Sequence, residues 1–242
     1  EIPVFRRNQF GGFFGGPIVK NKTFFFVDYE GTKEFTADTT QSTVATAAER
    51  RGDFSGSFFN NQPTQIFDPA TYNATTRARL PFAGNIIPAA RIDGVAAKVA
   101  SYSPNPNRGS IINNYFSNPR SNATTHKGDI RIDHTFGPND TIYGRYSRQD
   151  YLLTPESNLP APAFGGGDPA LNKNEPQSFV ISHGHIFTPN LFNTLKVSWN
   201  RLLTNRSSPL DGNLNPEIGL KGANTELSGF ALFSINGYAP LG

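Results

Sequence analysis

The sequence has no cysteine and no methionine. Without cysteine there are no disulfide staples and no thiolate metal site. Methionine is missing even at the first position, Glu1, so the chain is expected to be an excerpt or a processed product. No run of about 18 apolar residues occurs, which excludes a transmembrane helix. That absence leaves room for a membrane β-barrel, whose strands need only ~9–11 residues each. Charge of one sign is lacking too: 22 Lys and Arg stand against 19 Asp and Glu, for a net charge of +3. The basic residues are scattered, with isolated doublets such as Arg6-Arg7, so no phosphate-tracking stripe exists and nucleic acid is not an expected partner.

What is present is aromatic and turn-rich. The 242 residues include 21 Phe, 8 Tyr, 23 Gly and 19 Pro, a composition that favours strands joined by much loop. Residues 8–30 set the pattern: two apolar, aromatic segments joined by a polar turn at Lys20-Asn21-Lys22. In the second segment Phe25, Val27 and Tyr29 fall on one strand face, and Phe24, Phe26, Asp28 and Glu30 on the other. Alternation returns at residue 126. Ile130, Ile132 and Phe136 oppose Asp129, Arg131, Asp133 and Thr135; Ile142, Gly144 and Tyr146 oppose Tyr143, Arg145 and Ser147; Leu195, Val197 and Trp199 oppose Thr194, Lys196, Ser198 and Asn200. About six strands are expected. Short helices are expected at residues 42–50, ended by Gly52, and at residues 91–100, with Asp93 as N-cap. Residues 230–235 carry weak strand potential.

The connections alternate in length. They are short near residues 20–22, 137–140 and 188–190, and long over residues 31–125, 151–174 and 204–242. In an antiparallel up-and-down meander alternate connections lie at one end, so every tight turn falls at one end and every long loop at the other. That is the layout of an outer-membrane β-barrel, with an apolar face toward lipid and a charged face toward the lumen. The expected fold class is therefore all-β: an antiparallel up-and-down meander, part of a large transmembrane outer-membrane β-barrel with long extracellular loops containing short helices. The candidate lumen-facing residues are Asp28, Glu30, Asp129, Arg131, Asp133, Arg145 and Lys196. A secreted all-β binding or adhesion module, with the apolar face as its core, is the alternative.

Catalytic chemistry finds little support. Gly11-Gly12 and Gly15-Gly16 lack the Lys-Ser/Thr of a phosphate loop and the spacing of a dinucleotide fingerprint; glycines relieving crowding in a strand explain them better. His183 and His185 share a strand face, without a third metal ligand nearby in sequence. Asp28, Glu30, Asp129 and Asp133 read as solvated charges, with Arg131 and Arg145 as partners, rather than as acid/base pairs. No serine sits in a nucleophile elbow. We expect no enzyme, no catalytic residue, no cofactor and no metal. Phe13, Phe14, Tyr29, Tyr143, Tyr146 and Trp199 are candidates for interfacial girdles.

Several segments carry a resemblance. Phe5-Arg6-Arg7-Asn8-Gln9-Phe10-Gly11-Gly12, Gly15-Gly16-Pro17-Ile18 and Asn21-Lys22-Thr23-Phe24-Phe25-Phe26-Val27-Asp28-Tyr29-Glu30-Gly31 resemble the early barrel of TonB-dependent outer-membrane transporters of the Oar-like type. Residues 43–55, 66–71, 82–93 and 143–147 are similar to later segments of that family, in the same order. The resemblance implies a plugged barrel in the outer membrane of a Gram-negative bacterium, taking up a solute with energy from the inner-membrane TonB complex. It implies outer-membrane lipid and an unknown solute as further partners, and a plug and remaining strands outside this chain. A tag near Asn61 is expected to be reachable from outside the cell, and one at Pro138-Asn139 not.

Overall fold

A computed structural model describes residues 3–60, 62–166, 169–224 and 226–242. Six long strands form one antiparallel sheet: β1 (Val4–Val19), β2 (Thr23–Ala37), β7 (Arg120–Gly137), β8 (Asp140–Pro155), β9 (Leu171–Thr188) and β10 (Leu191–Ser207). Their spatial order is their chain order, an up-and-down meander, and the sheet is open. Minor pairs lie between β2 and β7: β3 (Thr40–Ser42) with β6 (Tyr115–Ser117), and β4 (Phe58–Phe59) with β5 (Gln62–Pro63). One α-helix, α1, spans Gly94–Tyr102.

The hairpin turns follow from local chemistry. At the β1–β2 turn Asn21 adopts φ 62°, a left-handed value that Asn tolerates better than most residues, and Lys22 N–H closes the turn on the Val19 carbonyl at 3.0 Å. The turns at Pro138-Asn139 and Pro189-Asn190 lie at the same end of the sheet. At the opposite end run the three long segments, residues 38–119, 156–170 and 208–242.

Cross-strand register makes the two faces explicit. Phe14, Val27, Ile130, Tyr146, Phe179 and Trp199 form one row across all six strands. One residue along lies the row Phe13, Asp28, Asp129, Ser147, Ser178 and Asn200, on the other face. In these two rows the apolar and the polar residues segregate by face, and a slip of one residue would exchange the faces. Elsewhere the segregation is incomplete, with Phe24 opposite Asp133 and Phe26 opposite Arg131.

The buried apolar residues do not lie between sheet and partner. Val44, Val99, Leu159, Ala163, Phe164, Ala170 and Ile218 are all in the long segments. Val44, Leu159 and Ala163 form a small core, with Tyr115, Ala239 and Leu241 packed on it, so all three segments meet in one cap. Among the described residues nothing covers the apolar sheet face: Leu195, Val197 and Trp199 are 60%, 64% and 50% exposed. A water-soluble domain of this composition buries such residues, and an uncovered apolar patch of this extent marks an interaction surface.

Three sequence expectations need correction. The strands run further than their patterns: the connections shrink from 31–125 to 38–119, from 151–174 to 156–170 and from 204–242 to 208–242. Ladder hydrogen bonds are backbone bonds, so pairing continues through polar stretches such as Thr32↔Thr125 that show no hydrophobic alternation. The helix expected at residues 42–50 is reduced to a 3₁₀ turn at Glu49–Arg51, closed by Gly52 at φ 89°. The reason is tertiary: Ser42 pairs in β3, the Thr43 carbonyl accepts from Ala239, and both backbone groups of Val44 are held by the buried Asn114 amide at 2.8 and 2.9 Å. The second expected helix forms, with Asp93 accepting from Val95 and Ala96 N–H groups. Residues 230–235 form no strand; Phe233 makes an isolated bridge to Leu241.

Candidate functional site

The seven candidate lumen-facing residues share the face opposite the Trp199 row. Asp28 lies opposite Asp129, and Arg131 opposite Arg145, two like-charge pairs in neighbouring rows. Asp133 reaches Lys196 through Tyr143 and Ser182 in one row, and Glu30 lies opposite Lys127. Like charges directly opposite destabilise a sheet, and here each row is relieved by the next. Arg145 donates to Asp129 Oδ1 through Nε at 2.8 Å and Nη2 at 2.6 Å, and the Ser147 hydroxyl donates to the same oxygen. Arg131 donates to Asp133 from Nε and Nη2 and lies 4.0 Å over the Tyr143 ring. Lys127 Nζ is 3.3 Å from Glu30. Asp28 Oδ1 is buried with no hydrogen-bond partner, and Lys196 has none either among the described residues. Alternating fixed charges along a polar wall suit passage or retention of a hydrated solute. They do not assemble a nucleophile, base and oxyanion donor.

The other face has a graded composition. Phe136 and Phe187 lie near the short turns, packed on His134 and His185. Ile132, Ile142, Ile181, Leu195 and Val197 follow, interrupted by His134, His183, His185 and Asp140 on the same face, and Tyr146, Phe179 and Trp199 come next. From Phe187 to Phe179 is eight residues, ~26 Å along a strand at ~3.3 Å per residue. The aromatic borders are spaced like the girdles of a ~25 Å membrane band, with the cluster of His183, His185 and Asp140 inside it near the short turns. Beyond the aromatic row, toward the long segments, Arg148 pairs with Asp150 and Glu175, and Lys173 with Glu175. Of the girdle candidates, Phe14, Tyr29, Tyr146 and Trp199 lie on this face. Phe13 and Tyr143 do not: the register puts them opposite Asp28 and Asp133.

The paired glycines behave unequally. A Cβ on Gly11 would meet the Tyr29 carbonyl oxygen at 2.3 Å, and one on Gly15 the Phe25 carbonyl oxygen at 2.8 Å. Gly12 and Gly16 face open space. Close backbone approach thus accounts for two of the four, and all four lie inside β1, where no helix N-terminus follows to bind phosphate. His183 and His185 both contact Asp140 Oδ1, at 3.2 and 2.6 Å; no group of metal-holding geometry occurs among the described residues.

The cap holds what sequence reading missed. Glu49, 9% exposed, accepts from the Thr46 N–H at 2.7 Å and from the hydroxyls of Ser57 and Tyr238, each at 2.5 Å. Burial pushes its carboxyl up, but these bonds outweigh burial and hold it below its ordinary value. Burial and the Glu49 contact push the Tyr238 phenol up. Beside them α1 and the 208–242 segment enclose a cavity of about 820 Å³ with mostly apolar walls. No periodicity marks Tyr238; only its place in space links it to Glu49.

An antiparallel meander with tight turns at one end, packed loops at the other and an uncovered apolar band with aromatic borders is a wall of a transmembrane β-barrel. The family model described as outer membrane beta barrel domain matches residues 1–242, and the chain belongs to that family, which places the protein in the outer membrane of a Gram-negative bacterium. No curated protein and no solved structure matches the chain.

Proposed function

We propose that this chain is barrel wall and extracellular cap of a TonB-dependent outer-membrane transporter that takes up a solute with energy from the inner membrane. The observation that carries the reading is the convergence of all three long segments into one packed cap at the end opposite the tight turns. A cap with its own core and cavity is suited to capturing a solute before entry. Below it, the face carrying Asp28, Glu30, Asp129, Arg131, Asp133, Arg145 and Lys196 lines the lumen, and the Trp199 face meets lipid. The segment resemblance at residues 5–31 and 43–55 supports TonB coupling over a passive pore. In this reading the inner-membrane TonB complex is the energy partner and the protein performs no catalysis.

Cells with and without the intact protein are compared for depletion of solutes from medium, with and without a protonophore. Depletion that needs both the protein and an energised inner membrane is expected. Depletion indifferent to the protonophore makes the protein a passive pore.

A further inference from the structure

The cavity in the cap is formed by three pieces far apart in sequence. Val95, Ala96 and Val99 of α1 make one wall, Phe54 and Ile66 another, and Phe233 and Ile235 close it from the 208–242 segment. At about 820 Å³ it is within the ~300–1,000 Å³ range of small-molecule sites, and its lining has the usual character of one: apolar walls with few polar groups.

The ionic groups in the lining differ in what they have left to offer. Glu49 is saturated by Thr46, Ser57 and Tyr238. Asp93 caps α1 through the N–H groups of Val95 and Ala96, at 2.9 and 3.0 Å. The Arg50 guanidinium donates to the Ser103 carbonyl at 2.9 Å and to Asn105 Oδ1. The Lys221 ammonium alone has no hydrogen-bond or ion-pair partner among the described residues. A ligand for this cavity therefore needs an apolar body, for walls that supply few polar partners. It needs one anionic group, for a cation with its donors unspent.

We propose that the cap cavity binds an amphipathic mono-anion, a medium-chain or aryl carboxylate, with its apolar body against α1 and its carboxylate at Lys221. The proposal deepens the uptake reading and rests on it for the claim that the bound molecule is cargo; binding itself rests on the cavity alone. It names a solute class by chemistry: apolar, singly charged and small enough for one cavity.

The test uses the intact outer-membrane protein in amphipol, titrated calorimetrically with decanoate and with the uncharged 1-decanol. Saturable decanoate binding is expected. Lys221→Glu, at an exposed position, weakens decanoate roughly tenfold or more, as loss of a charge-assisted contact does, and leaves 1-decanol within about a factor of two. Ala96→Trp, also from an exposed position, fills the cavity and removes binding of both. Absence of saturable decanoate binding to the unsubstituted protein overturns the proposal, as does binding that neither substitution alters. Decanoate binding with protonophore-insensitive uptake overturns the transporter reading and leaves the cavity site standing. Energised uptake of other solutes without decanoate binding overturns the cavity site alone.

Discussion

The Tyr238 hydroxyl donates to Glu49 Oε1 at 2.5 Å across 189 residues of sequence. This bond ties the last long segment to the first, over a sheet that neither segment belongs to. Its environment is what makes it count: Glu49 is buried and has two further donors, so the charge is held in place rather than solvated. Removing the phenol oxygen leaves a buried carboxylate short of one donor. Tyr238→Phe is expected to loosen the cap at a cost of about 1–3 kcal/mol. Faster protease cleavage of residues 38–119 on intact cells, with an unchanged heat-resistant barrel, is the expected result.

The same carboxylate gives the cap a pH dependence. Its folded pKa lies below the ordinary value of 4.5, so its contribution is fully present above that value and is lost as pH falls through the folded value. Protease accessibility of the cap is expected to be flat at neutral pH and to rise in acid below about 4.5. Glu49→Gln is expected to flatten that rise.

The two faces make opposite demands at neighbouring positions. Val197 and Ser198 are adjacent in β10 and point to opposite sides of the sheet. Val197→Lys places a charge in the apolar band and is expected to destabilise the inserted barrel by about 2–4 kcal/mol. Ser198→Lys adds a charge to the polar face and is expected to cost much less. Urea unfolding in liposomes compares them; equal losses would remove the assignment of the two faces, and a larger loss for Ser198→Lys would reverse it.

In the proposed transporter the charge pairs of the polar face bear on the solute more than on stability. Arg131 and Asp133 are each about 40% exposed, so a double-mutant cycle between them is expected to give under about 1 kcal/mol. Solute uptake by Arg131→Ala cells is the more sensitive readout, with a larger change expected there than in stability.

The glycines of β1 separate by the same logic. Gly11→Ala forces a Cβ against the Tyr29 carbonyl and is expected to cost about 1–3 kcal/mol, whereas Gly12→Ala meets open space and is expected to be nearly neutral. Refolding yield in detergent distinguishes them.

Topology is tested by insertion. A tag between Ala74 and Thr75, in the exposed part of the 38–119 segment, is expected to be labelled on intact cells, and one between Pro138 and Asn139 is not. Asn61 lies outside the described residues. Equal labelling would remove the orientation.

The sequence by itself determined the strands, their faces and the end at which each turn lies. Period-two alternation is a local property of the pleated backbone, so Ile130, Ile132, Asp129 and Arg131 could be sorted without knowing their neighbours, and turn chemistry at Asn21 or Pro138 acts within a few residues. Where alternation faded, as beyond Glu30, the strand ends were misplaced, since backbone pairing does not need an apolar pattern. Only the tertiary structure decided the rest. It showed that the apolar face has no cover and that Asp129 binds Arg145 while Asp28 goes unpaired. It also showed that Asn114 denies residues 42–50 a helix, and that Glu49 meets Tyr238 beside a cavity. Those facts depend on register between strands and on the convergence of segments more than a hundred residues apart, and neither is encoded in any window of the chain.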